Sequence, residues 1–163
     1  MKAIVYTSNT GHTEEYAKIL AKKTGLSVYP LDLAIKELGR DTEVIYLGWL
    51  FVSSVKGYKK AARHFKISAV CGVGLCDTGC LIKEVRKSIS LKEDIPLFTL
   101  QGGIDRSKLR SVNKYMIDML IKMMTSKKDK TPDDERMLEL LTHDKNYVSE
   151  ENLRAVLEWY TKG

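Results

Sequence analysis

Apolar positions fall along this 163-residue chain in two alternating rhythms. Short, nearly continuous apolar runs at Lys2–Tyr6, Ser27–Leu31, Glu43–Gly48, Ile67–Leu75 and Ile95–Leu100 read as five buried strands. Helical patterns separate them. Glu14–Thr24 sets Tyr16, Ala17, Leu20 and Ala21 on one face, and Gly25 stops it. Asp32–Leu38, Tyr58–Phe65 and Leu81–Ile89 fill the later gaps. Strands apolar on both sides and alternating with helices predict an α/β fold, a doubly wound five-stranded parallel sheet covered on both faces.

After Leu100 the rhythm changes. Ser107–Lys128 reads as one long helix, with Leu109, Val112, Met116, Met119, Leu120 and Met123 on an apolar face and Ser107, Lys114, Asp118 and Lys122 on the other. Thr131-Pro132-Asp133-Asp134 has the order of an N-cap, a first-turn proline and first-turn acids, and starts a shorter helix to about Leu141. Ser149-Glu150-Glu151 opens a last helix carrying Leu153, Val156, Leu157 and Tyr160. The pattern predicts a single domain over residues 1–163, with a helical insertion at about 107–148 before the final helix.

The first strand runs into Thr7–Thr13, TSNTGHT, which is rich in hydroxyls and amides and has no Lys or Arg. Ligands of doubly wound sheets bind at the carboxyl ends of the strands, and a helix N-terminus there favours a phosphate. Ser8, Thr10 and Thr13 offer hydroxyl donors, Asn9 an amide, and Gly11 a close backbone approach. Neither the Gly-Lys pair of a nucleotide triphosphate loop nor the three glycines of a dinucleotide loop is present. The stretch therefore reads either as a cradle for one monophosphate, or as an ordinary polar turn that caps a helix.

Ser8-Asn9-Thr10-Gly11-His12-Thr13 resembles the T/S-x-T-G-x-T phosphate signature of flavodoxin-like proteins, and the resemblance extends over the strand–helix alternation, about two thirds of the chain. It implies a sheet of order 2-1-3-4-5 and bound FMN. Carried over by position, Ser8, Asn9, Thr10, Gly11, His12 and Thr13 would hold the ribityl phosphate. The loops after the third and fourth strands would grip the flavin ring: Trp49, Leu50, Phe51 and Val52 in the first, and Gly74, Leu75, Cys76 and Asp77 in the second. Trp49 and Phe51 could equally roof the core. The stretch Pro96–Asp105, running into Ser107-Lys108-Leu109 and a Met-rich helix, is similar to the branch of the family that includes menaquinone-dependent protoporphyrinogen oxidase. That similarity implies an oxidoreductase or electron-transfer protein with an unidentified donor and acceptor, a quinone among the candidates. The alternative is a one-electron carrier serving a soluble partner. Flavodoxins often place a glycine after the stacking aromatic; here Leu50 follows Trp49, which leans toward two-electron chemistry, as does the basic balance.

That balance is a net charge of +6, and Arg106 to Lys130 alone, with eight Lys/Arg and two Asp, carries the same excess. An amphipathic helix with basic flanks suits the surface of an anionic membrane; a solvated flank beside a core-facing stripe is the plainer reading. No nucleic-acid motif accompanies the charge. Cys71, Cys76 and Cys80 read as small structural residues or as a redox thiol beside the flavin, and the scattered His12, His64 and His143 give no metal-ligand spacing. An odd cysteine count, no signal-peptide layout and no long apolar span lead to the expectation of a cytoplasmic protein, peripheral at most to a membrane.

Overall fold

Alternate residues of a strand point to opposite faces of a sheet, and here each set has its own covering layer. The computed structural model describes residues 3–162, so Lys2 of the first expected strand lies outside the described residues. Five parallel strands, β1 (Ala3–Thr7), β2 (Ser27–Pro30), β3 (Glu43–Phe51), β5 (Lys66–Gly74) and β6 (Leu97–Gln101), lie in the order β2-β1-β3-β5-β6. Counted along the chain this is the 2-1-3-4-5 order of flavodoxin-like sheets. Ala3, Val5, Val44, Tyr46 and Val70 face α2 (Leu31–Glu37), α3 (Tyr58–His64) and α4 (Ile82–Ile89). Ile4, Ile45, Leu47, Cys71 and Leu100 face α1 (His12–Thr24) and α7 (Arg154–Lys162).

Four local features depart from the sequence reading. The segment after Gly48 is not a loop. Trp49 pairs with Val73 of β5, so β3 continues to Phe51, turns at Val52-Ser53, and folds back as β4 (Ser54–Val55), with Leu50 opposite Val55. Pro96 has no N–H to donate, and β6 begins after it rather than at Ile95. The long helix is also broken. A 3₁₀ turn at Arg106–Lys108 ends in extended Leu109 and Arg110, and α5 spans Ser111–Ser126. Its buried side is Ile117 with Leu120, Ile121 and Met124, not the expected Met face. Val112, Tyr115, Met119 and Met123 stand 67, 68, 54 and 63 % exposed. Finally, Cys76 and Cys80 are joined by a disulfide.

α6 (Pro132–Thr142) starts as its sequence predicts: Thr131 Oγ1 accepts from the Asp134 N–H, and the Asp134 carboxylate accepts from the Thr131 N–H. The two helices and a two-stranded ribbon, β7 (Gly103–Ile104) with β8 (Lys145–Asn146), lie between β6 and α7 in the chain. Ile104, Leu109, Ile117 and Leu141 form a third apolar cluster there, against Phe51 and Leu75. Among the described residues no helix is long and apolar enough to cross a membrane.

Candidate functional site

The loop from β1 into α1 puts Gly11 at φ 103°, where an L side chain would be strained, and opens the first turn of α1 just beyond it. The N–H groups of that turn have no partner within the helix. Ser8 Oγ accepts from the Gly11 N–H at 3.1 Å and the Glu14 N–H at 3.4 Å, so it shapes the loop from inside. Thr10, His12 and Thr13 are buried. Thr10 Oγ1 lies 3.0 Å from His12 Nδ1, and the His12 ring also bonds the Lys145 backbone. Burial holds the His12 imidazole below its ordinary pKa; Glu15 and Asp105 oppose that shift and Lys108 adds to it.

The β7–β8 ribbon passes close over this loop because Gly103 lacks a Cβ: one there would overlap the Lys145 carbonyl and sit 3.0 Å from His12 Nε2. The ribbon leads into the 3₁₀ turn and so delivers a cation that the loop itself lacks. Lys108 Nζ lies 3.9 Å from where a Cβ of Gly11 would stand. It pairs with Asp105 Oδ2 at 3.1 Å. Ser107 hydrogen bonds, and then Lys108, hold the Asp105 carboxyl below its usual range. The other nearby carboxylates are also engaged: Asp144 accepts from the Arg106 N–H at 2.8 Å, and Glu15 from Asn146 Nδ2 at 3.1 Å. Lys108 had no assigned role in the sequence reading, and no local pattern marks it. Its position depends on the ribbon.

Three adjoining cavities run across the carboxyl end of the sheet. The polar one, about 380 Å³, is lined by Thr10, Gly11, His12 and Lys108 among others. The middle one, about 60 Å³, brings together Asn9, Thr10, His12 and Thr13 with Trp49, Leu50, Gly74 and Leu75. The third, about 240 Å³ and almost wholly apolar, is walled by Leu50, Phe51, Val52, Leu75 and Cys76 and roofed by Ile117, Leu120, Met124 and Met137. The three chain segments expected to share a site therefore do meet. Asp77 lies outside the cavities and pairs with Arg136 of α6 at 2.7 Å.

The middle cavity is narrow because two aliphatic side chains fill it. Leu50 packs over β5, within 3.2 Å of where Cβ atoms of Gly72 and Gly74 would stand. Ile117 reaches in from α5 and lines both the middle and the apolar cavities. Trp49 and Phe51 meet edge-on, ring centroids 6.1 Å apart, and Lys56 Nζ lies 5.8 and 5.3 Å from their ring centroids. At the far corner the Tyr46 hydroxyl donates to the Lys56 carbonyl at 2.7 Å and shares a 2.9 Å hydrogen bond with Thr7, tying β1 to the segment after β4. Burial raises the Tyr46 pKa, so this hydroxyl keeps its proton.

The arrangement orders its chemistry along one line: N–H groups, hydroxyls and an ammonium at one end, a tight aliphatic waist, and an apolar chamber beyond. Comparisons of the chain with models of known protein families, with curated proteins and with solved structures find no match.

Proposed function

We propose that the chain is an FMN-binding oxidoreductase or electron-transfer protein, with its flavin at the carboxyl end of the sheet. The observation that carries this reading is the convergence of the phosphate-loop residues, the β3–β4 hairpin and the segment after β5 on one cleft in a 2-1-3-4-5 sheet. The residues fit the group in kind and order. Gly11 leaves its cradle open to a phosphate, the first turn of α1 and Thr10 would supply donors, and Lys108, now paired with Asp105, would hold the phosphate dianion. Trp49, Leu50, Gly74 and Leu75, which line the middle cavity, would hold the flat ring. Ligand pockets run to roughly 300–1,000 Å³, whereas this waist measures about 60 Å³. Binding therefore requires Ile117 and α5 to lift.

FMN, once bound, takes up and gives out one or two electrons. The chain's own residues bind it, exclude water beneath α5, and hold a neighbouring apolar chamber in which an uncharged acceptor of the quinone type fits beside the ring. The exposed Val112–Tyr115–Met119–Met123 stripe, with Arg110, Lys114, Lys122 and Lys128 on the same helix or just beyond it, is a surface for an anionic bilayer, where such acceptors reside. This favours the quinone-linked reading over a soluble one-electron carrier. Anaerobic reductive titration of the FMN-loaded protein tests it. A direct two-electron conversion is expected; accumulation of a one-electron form through most of the titration would favour the carrier.

A further inference from the structure

We propose that Cys76 and Cys80 form a redox-active site that exchanges disulfide for dithiol with an external dithiol donor. The inference stands independently of the flavin reading. The two sulfurs are bonded, their Cα atoms 6.4 Å apart, in the segment between β5 and α4 at the carboxyl end of the sheet. Both residues are half-buried rather than sealed in the core. Their surroundings differ. Cys76 lines the apolar chamber, and Cys80 does not. Cys80 instead stands two residues before Ile82, the first residue of the eight-residue helix α4. The free N–H groups and positive dipole end of that helix favour a thiolate at Cys80. Asp77, three residues before Cys80 in the chain, pairs with Arg136 at 2.7 Å.

The segment does not depend on the S–S bond for its shape. The Gly79 N–H donates to the Thr99 carbonyl at 2.9 Å, Thr99 Oγ1 donates to the Cys80 carbonyl at 2.6 Å, and the Gln101 N–H donates to Thr78 Oγ1 at 3.0 Å. These bonds hold the turn in either redox state. A disulfide spanning so few residues also restrains the unfolded chain less than one closing a long loop.

The polarity of the pair sets the order of events. A thiolate of the donor attacks Cys76 Sγ from the chamber side. The S–S bond breaks, and Cys80 leaves as the better-stabilised thiolate. The donor's second thiol then attacks its own sulfur in the mixed disulfide, closes the donor's disulfide and releases Cys76. Two electrons pass from donor to protein. The donor's two protons go to Cys76 and either to Cys80 or to solvent. Cys71 takes no part: it is fully buried, and burial pushes its thiol up to about 12.

Ligand-free protein equilibrated anaerobically with graded mixtures of reduced and oxidised glutathione, then dithiothreitol, is quenched with acid, alkylated with a maleimide and weighed. The expected result is passage from no adduct to two adducts through one midpoint within the glutathione series, with Cys71 labelled only after denaturation. In reduced native protein, Cys80 should react with iodoacetamide faster than Cys76 at neutral pH. Cys80→Ser should keep the wild-type melting temperature within a few degrees and form a mixed disulfide with glutathione at Cys76. A pair that stays oxidised throughout both series, that labels in the oxidised protein, or in which Cys76 is the more reactive thiol would overturn the proposal.

Discussion

Asn113 Nδ2 donates a 2.9 Å hydrogen bond to Asn9 Oδ1, joining the first turn of α5 to the loop between β1 and α1 across 104 positions of sequence. One turn further along α5, Ile117 fills the waist of the cleft. The hydrogen bond therefore acts as a latch on the element that must move for a flat ligand to enter. Asn113→Ala removes about 0.5–1.5 kcal/mol of closed-state stabilisation, up to roughly tenfold in the opening equilibrium. Amide exchange in Ser111–Ser126 should quicken, and FMN association should quicken with it. Unchanged exchange in α5 would show that the latch bears no load.

The hairpin between β3 and β4 turns through Val52 at φ 46° and Ser53 at φ 60°. Two-residue turns of this hand favour Asn-Gly, and a β-branched residue in the left-handed region costs about 1–2 kcal/mol. Val52→Asn should stabilise the chain by about 1 kcal/mol, read as a higher denaturant midpoint with an unchanged slope. Val52 is 71 % exposed at the hairpin tip and meets only the rim of the apolar cavity, so little packing is lost in the exchange. A lower midpoint would mean that the turn is held in another conformation in solution.

His12 gives the fold an acid limb. Burial depresses its pKa, so as pH falls the unfolded chain takes up the proton before the folded one does. The stability owed to neutral His12 is whole above the ordinary imidazole value of about 6.5 and is lost as pH falls through the lower folded value. Urea denaturation at steps between neutral and mildly acid pH should show a steeper loss for the wild type than for His12→Gln. Parallel curves would assign the acid limb to other groups.

The exposed stripe on α5 predicts salt-sensitive attraction to anionic vesicles. Each Lys near such a surface contributes about 1 kcal/mol. Lys127 is left unchanged, because it pairs at 2.5 Å with Asp134, the residue that caps α6 and whose carboxyl is lowered to about 2, chiefly by its hydrogen bond from Lys127 and then by those from Thr131. Lys114, Lys122 and Lys128, changed together to Glu, should release the protein from vesicles that the wild type binds at low salt. Met119→Ser with Met123→Ser should weaken binding in high salt as well. A wild type that stays in the supernatant at low salt would restrict the stripe to contact with another protein.

Alternation of apolar runs was sufficient to read a parallel sheet covered on both faces, because strands buried on both sides require it; the order 2-1-3-4-5 came from the resemblance of Ser8–Thr13 to the flavodoxin-like signature. Ser8–Thr13 was legible as a candidate because one short segment carries its own signal, and Asn9, Thr10, His12 and Thr13 of it line the cleft. The site was not legible where the signal is shared across the fold. Gly48-Trp49-Leu50-Phe51 has the composition of an apolar loop, and only the pairing of Trp49 with Val73 makes it strand. α5 carries two adjoining apolar stripes of similar strength. The cluster around Ile104 and Leu141 takes the one with Ile117, Ile121 and Met124, and so Met119 and Met123 are left outside. A three-residue gap between Cys76 and Cys80 says nothing of the turn that closes it. Lys108 reaches the loop between β1 and α1 only because Gly103 lets the ribbon pass above His12.

The polar end of the cleft, at Thr10, Gly11, His12 and Lys108, is the feature on which the proposed function rests, and a paired calorimetric titration isolates it. FMN and riboflavin share the ring and the ribityl chain and differ only in the phosphate. FMN is expected to bind at one site per chain and at least about tenfold more tightly than riboflavin, since hydrogen bonds to a charged group are worth about 1.5–3 kcal/mol. Lys108→Ala should erase most of that preference while leaving riboflavin unchanged, and Thr10→Asp, which sets a carboxylate in the cradle, should abolish FMN binding. Equal affinity for the two ligands, or FMN affinity untouched by both substitutions, would contradict a phosphate site at Ser8–Thr13.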